Sequence, residues 1–199
     1  MRFCWAFVLA GCGFHTSGAS SSEVDAQVDA TAIFDPATCP ASYDVALPGP
    51  SKYRLITAAA KLDAQNAACN ADLPGATHLV VPSSTTELTA ISDYLDRLTA
   101  GTLHDDSLWI GAVQVAGATQ RSAGWIDFSD RDLIHGWATG EPNDGGAVED
   151  ATEQFASMKR NKHYLTDSPA SSTFGALCEC DGVPIGPRAM AAITAQLPR

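Results

Sequence analysis
The chain has 199 residues and a net charge of −11, from 23 acidic and 12 basic side chains. An apolar fraction of 45% is enough for one packed domain of ordinary size with extensions. The negative excess argues against a nucleic-acid partner, whose phosphate backbone it would repel. In chain order, Met1-Arg2 supplies one positive charge, and residues 3–10 form an apolar run too short to span a bilayer as a helix. Small residues follow, which is the mark of an export signal over residues 1–11. Residues 12–38 are rich in Ser, Ala, Asp and Thr without periodicity. They read as a flexible tether, with a root-mean-square span of roughly 25–30 Å.

The folded part begins near Cys39-Pro40 and runs to Cys180. Residues 52–57 (KYRLIT) suit a strand. Thr57 can then cap a helix through residues 58–71, with Leu62 and Cys69 on one face. Residues 77–82 (THLVVP) are strand-like. Ser84-Thr85-Thr86-Glu87 is a capping box, followed by Leu88, Ile91, Leu95 and Leu98 at helical spacing, with Gly101 as the stop. These leucines read as core. After Gly101 come strand candidates at 108–111 and 125–128, an irregular Gly-, Asp- and Pro-rich segment over 129–150, and short strands at 153–158, 163–166 and 173–179. Helices first, then short strands around a long loop, indicate an α+β fold. A loop of that length inside a compact domain is usually functional. Trp109, Trp125 and Trp137 read as core aromatics, and 159–162 (KRNK) as a solvated turn. His78, His104, His135 and His163 show no ligand spacing. The tail, residues 181–199, can form a short helix with Met190, Ile193 and Leu197 along one face; whether it packs back is open at this level.

Residues 140–150 read GEPNDGGAVED. Glu141, Asp144, Glu149 and Asp150 repel one another there unless counterions, a basic side chain or a bound cation intervene. Motifs of hydrolases, zinc proteases and phosphate loops are absent from the sequence, so no enzyme class is indicated. Residues 9–12 (LAGC) resemble the bacterial lipoprotein signal, which implies cleavage before Cys12, lipidation of that cysteine and attachment to a membrane. Cys39, Cys69, Cys178 and Cys180 then remain, an even number that reads as two disulfides in an exported chain. The competing reading is a metal site around Cys178-Glu179-Cys180, but no Cys-x-x-Cys or nearby His pair completes a zinc set.

The order Cys69, Trp109-Ile110-Gly111, Trp137, Glu141-Pro142-Asn143, Glu149-Asp150, Asp167 and Phe174 to Cys178-Glu179 resembles the C-type lectin-like domain over about residues 39–180. That family carries Trp-Ile-Gly-Leu, Glu-Pro-Asn, Glu-Asp-Cys, Trp-Asn-Asp and a closing Phe-Ile-Cys-Glu. Two departures stand out. The cysteine of Glu-Asp-Cys is Ala151 here and its partner is Ala170, so the loop disulfide, worth about 3 kcal/mol in the chain-entropy picture, is absent as a unit. Trp-Asn-Asp is replaced by Leu165-Thr166-Asp167, which keeps the aspartate and loses the amide.

The resemblance implies disulfides Cys69–Cys178 and Cys39–Cys180 and a cis bond before Pro142. It also implies a calcium ion held by Glu141, Asn143, Glu149 and Asp167, with Thr166 in the departed position and Asp144 and Asp150 at an auxiliary site. The same Glu141, Asn143, Glu149, Thr166 and Asp167 would then meet a carbohydrate or glycoprotein ligand through a mannose- or glucose-type hydroxyl pair. The expectation is a calcium-dependent carbohydrate-binding lipoprotein at the bacterial envelope, on the outer membrane or cell surface. The alternative is a protein-recognition module of the same fold.

Overall fold
The computed structural model describes residues 34–133, 136–146 and 148–197. The export signal, Cys12, most of the tether and His135 lie outside these residues. Seven strands form one sheet: β1 (Lys52–Ala60), β2 (Thr77–Leu79), β3 (Ser107–Gln114), β4 (Trp125–Asp127), β5 (Phe155–Lys159), β6 (Leu165–Ser168) and β7 (Phe174–Cys180). Three helices pack around it: α1 (Leu62–Asn70), α2 (Thr85–Arg97) and α3 (Pro187–Gln196). The α+β architecture read from the element order is the one observed.

The strand order is β1-β7-β3-β5-β6, with β2 paired to β7 and β4 to β3. All pairings are antiparallel except β3 with β7. Strand alternation sends the two faces of this sheet into two cores. One core holds Leu62 and Cys69 of α1, Ala189 and Ile193 of α3, Trp109, Phe155 and Cys178. The other holds Leu88, Ile91 and Leu95 of α2 with Ile110, Met158 and Leu177.

Helix α2 starts as its capping box requires, with Ser84 Oγ accepting from the Glu87 N–H at 3.2 Å. The Glu87 carboxylate does not return to Ser84. It accepts instead from the Ser83 N–H (2.9 Å), the Ser83 hydroxyl (2.6 Å) and the Tyr53 hydroxyl (2.6 Å), which binds the helix start to β1. The helix ends at Arg97, short of Gly101, whose positive φ of 80° serves the turn beyond.

The first helix starts later than its alanine-rich sequence suggests. Thr57 and the alanines after it belong to β1, because Ala60 pairs with Phe174 and its carbonyl accepts the Trp109 indole N–H at 2.9 Å. Helix propensity is a weak prior that tertiary pairing overrides. Gln65 then ties α1 to both strands, donating to the carbonyls of Ala58 (2.7 Å) and Phe174 (2.8 Å).

Both expected disulfides are present, Cys39–Cys180 and Cys69–Cys178. The tail does pack back. Ala189, Ala192 and Ile193 of α3 are buried while Met190 is exposed, and the Asp130 carboxylate caps the helix by accepting from the N–H groups of Arg188 (3.0 Å) and Ala189 (2.7 Å).

Gly111 marks a tight crossing of backbone. Its N–H donates to the Val80 carbonyl at 2.8 Å, and a Cβ there would stand 2.6 Å from the Leu79 carbonyl oxygen and 2.9 Å from Val81 Cγ2. Backbone cannot give way as a flexible side chain can, so Gly111→Ala is expected to destabilise the domain by about 1–3 kcal/mol. A urea titration checks this: the midpoint should fall with the slope unchanged, and an unmoved midpoint would contradict the close packing.

Candidate functional site
The site is built where the irregular loop meets β6. The loop is aligned by main chain: the Leu165 N–H donates to the Gly136 carbonyl (2.7 Å) and the Ala138 N–H to the Leu165 carbonyl (3.0 Å), beside a parallel bridge between Trp137 and Leu165. The Trp137 ring packs on Trp125 with centroids 4.6 Å apart. This docking delivers Gly140 to Asn143 to the end of β6. The Glu141–Pro142 bond is cis.

Asp167 is the anchor. Buried on β6, it accepts from the N–H of Asn143 at 3.0 Å through Oδ1 and from the N–H of Asp144 at 2.5 Å through Oδ2. The Asn143 amide in turn donates to the Glu141 carboxylate. Glu141 also faces Asp167. Burial, then the hydrogen bond and charge of Asp167, push the Glu141 carboxyl up to about 7. Two carboxylates in contact need a proton or a cation between them.

A third carboxylate adjoins this pair. Glu153 sits just before β5, beside Gly145, where a Cβ on the glycine would be 3.6 Å from its Oε2. Burial first, and then the charge of Asp167, raises its pKa. Its charge also raises that of Glu141. Glu141, Glu153 and Asp167 thus feel one another's charge, although their carboxylates are not drawn together as closely as the ligand atoms of His78, Glu179 and Asp181 are.

The other candidate residues are placed differently. Glu149 turns away, with Oε2 accepting from Gln114 Nε2 and Oε1 from the Ala151 N–H, each at 3.0 Å. Thr166 shares a hydrogen bond with Ser157 Oγ at 3.0 Å, on the β6 face opposite Asp167. Asp144, only 1% exposed, spends its carboxylate on the loop's own backbone. It accepts from the N–H groups of Asp150, Ala151 (3.0 Å), Thr152 (2.9 Å) and Glu153 (2.8 Å). Burial alone would raise its pKa, but these N–H groups outweigh burial and hold it at about 2. Asp150 is exposed and reaches this cage through its N–H. Arg121 closes the loop tip, donating to the Gly146 carbonyl at 2.6 Å.

Glu153 was hidden by a coincidence of sequence. Glu149-Asp150-Ala151 copies the family's string, yet Ala151 is exposed with φ of 62°. Phe155, in contrast, pairs with Ser168 and shares a core with Ala170. Phe155 thus shares the core of the lost cysteine's partner, as Ala151 does not, which points to Glu153-Gln154-Phe155 as the matching string. The signal available in the sequence is the start of the β5 pattern, from which the acidic residue has to be counted backwards.

No family model matches the sequence, and no curated protein matches it. Comparison of structures does find relatives in shape. The C-type lectin CEL-I from Cucumaria echinata superposes with a TM-score of 0.57 at 16% identity, over 71% of this chain and 96% of that one. The C-type carbohydrate-recognition domain of cow CD23, solved in the presence of a GlcNAc2Man3 oligosaccharide, gives 0.53 at 22% identity, over 71% and 95%. A calcium-independent type II antifreeze protein gives 0.53 at 20% identity, over 72% and 94%. With the sheet order, the two disulfides and the docked loop already placed, these matches lead to one conclusion: the chain folds as a C-type lectin-like domain.

Proposed function
We propose that the protein binds carbohydrate through a calcium ion held at the loop by Glu141, Asn143, Glu153 and Asp167. The observation that carries this reading is the contact between Glu141 and Asp167, two carboxylates with a third acid beside them and no basic side chain hydrogen-bonded to either among the described residues. Such a set of oxygens on irregular backbone suits a hard cation of flexible coordination. When bound, calcium would supply coordination positions for two adjacent sugar hydroxyls.

The protein's own residues do the rest. The Glu141 carboxylate accepts a hydrogen bond from a sugar hydroxyl, and the Asn143 amide donates one to it. Asp167 fixes both by holding the N–H groups of Asn143 and Asp144. The Glu-Pro-Asn order favours mannose- or glucose-type hydroxyl pairs in the lectins it resembles, and the cow CD23 domain was solved in the presence of a mannose-containing oligosaccharide. Presentation at a bacterial envelope through lipid on Cys12 belongs to the same proposal and rests on residues 9–12 (LAGC).

One observation favours a second reading, a calcium-free module that recognises protein. The Asp144 carboxylate gathers the N–H groups of residues 150–153, so the protein's own groups contribute order to the loop. A structural relative is itself calcium-independent.

Calorimetry with calcium separates the ligands. Glu153→Gln should weaken affinity by at least about tenfold, or about 1.4 kcal/mol, while Glu149→Gln should leave it nearly unchanged. The reverse ranking would return Glu149 to the site in place of Glu153. A glycan array with and without chelator tests the sugar. Binding to mannose- or glucose-type glycans should vanish with chelator, and Glu141→Gln with Asn143→Asp should change the preference. No glycan signal, together with chelator-insensitive folding, would favour the protein-recognition module.

A further inference from the structure
Away from the loop, β2 and β7 pair antiparallel so that His78 stands opposite Glu179, and Asp181 follows directly after β7. His78 and Asp181 are 103 residues apart in sequence. The ligand atoms of His78, Glu179 and Asp181 nevertheless lie within 4.8 Å of one another. Small side-chain rotations bring such atoms to one ion with bonds of about 2.0–2.2 Å.

Two buried side chains, His78 and Glu179, contribute polar atoms to this cluster. His78 is 2% exposed. Its Nδ1 lies 2.7 Å from the Leu79 carbonyl, which fixes the proton on that nitrogen, since a carbonyl only accepts. Nε2 faces Asp181 Oδ1 at 3.1 Å, an ion pair when Nε2 also carries a proton. A metal ion would take the place of that proton. Glu179, 3% exposed, accepts from the Val81 N–H at 3.0 Å through Oε2. Its Oε1 accepts no hydrogen bond among the described residues. Both side chains line a cavity of about 660 Å³ that Asp181 and Glu87 also border. Glu87 is already satisfied by Tyr53 and Ser83 and is not needed as a ligand.

We propose that His78, Glu179 and Asp181 form a metal site for a divalent transition ion of the zinc type, separate from the loop. An imidazole nitrogen with two carboxylates suits zinc and its neighbours, whereas calcium prefers oxygen alone. The bond from Nδ1–H to a backbone carbonyl is the outer contact that orients metal-binding histidines. Three protein ligands leave a fourth position, and it opens on the cavity, where water fills it. The sulfurs of Cys178 and Cys180 take no part, because both are in disulfides. Those disulfides do hold the backbone on either side of Glu179, so the site is assembled before an ion arrives.

Titrating the full chain with Zn2+ and Co2+ tests the proposal. The parent protein should take up one more ion per chain than His78→Gln, with a Co2+ visible absorption band that the variant lacks. Because the parent and variant share every other group, binding elsewhere in the chain cancels in the comparison. Asp181→Asn lies outside the strand and is half-buried, so it tests the site if His78→Gln fails to fold. It should weaken Zn2+ binding by at least about tenfold, the lower end of the roughly 10–100-fold cost of losing even an outer-shell partner. Glu141→Gln should retain the Zn2+ site whether or not the loop binds calcium. Equal Zn2+ uptake by the parent and both variants would overturn the proposal. So would an anomalous zinc peak in a crystal that lies anywhere but between these three side chains.

Discussion
Cys178 and Cys180 stand two residues apart on one face of β7, and each is bonded to a different part of the chain. One reaches Cys69 in α1 and the other Cys39 at the start of the domain. The strand between them is hydrogen-bonded along one edge to β1, and along the other to β3 at its beginning and β2 at its end. Few strands have so little freedom to move. Alternation then forces Glu179 onto the opposite face, near Glu87 and the Tyr53 side chain. Burial first, and the Glu87 charge second, push the Glu179 carboxyl up to about 7. The strand could relieve that cost only by retreating, and the disulfides and three strand pairings prevent it.

The loop reaches its order by different means. The family's loop disulfide is missing, and Phe155 and Ala170 occupy that region as ordinary core. In its place the Asp144 carboxylate gathers the N–H groups of residues 150 to 153. A hydrogen bond to a charged group is worth about 1.5–3 kcal/mol, so two of them match the roughly 3 kcal/mol expected of the bridge. Asp167 extends the arrangement into the sheet by holding Asn143 and Asp144. A buried aspartate can in this way organise exposed main chain much as a bridge would.

Much of this was legible in the sequence, for identifiable reasons. Helix α2 is plain because a capping box and a leucine repeat agree with each other. The cysteine pairing followed from the resemblance, since an even count alone leaves three connectivities open. The start of α1 was misread because a run of alanines carries no pattern to distinguish strand from helix, and only the pairing of Ala60 with Phe174 decides it. Glu153 was misplaced because its position is set by the β5–β6 register, while a better-looking string stood four residues earlier. His78 showed no ligand spacing because its neighbours, Glu179 and Asp181, are joined to it by a strand pairing that spans about half the chain.

The two acidic clusters differ in ways that follow from their supports. At the loop every donor is an oxygen, the backbone is irregular, and the carboxylates have room to adjust; this matches a hard cation that takes several ligands at loose geometry. On the sheet the donors include an imidazole, the backbone is fixed on both sides, and the number of ligands is small, which matches a more selective ion. Each arrangement has support from the protein's own groups, Asp144 at the first and the disulfides at the second. Metal binding at either place can therefore be gained or lost by exchanging single side chains while the architecture stays intact. The structural relatives of this fold include both a carbohydrate-recognition domain and a calcium-independent protein.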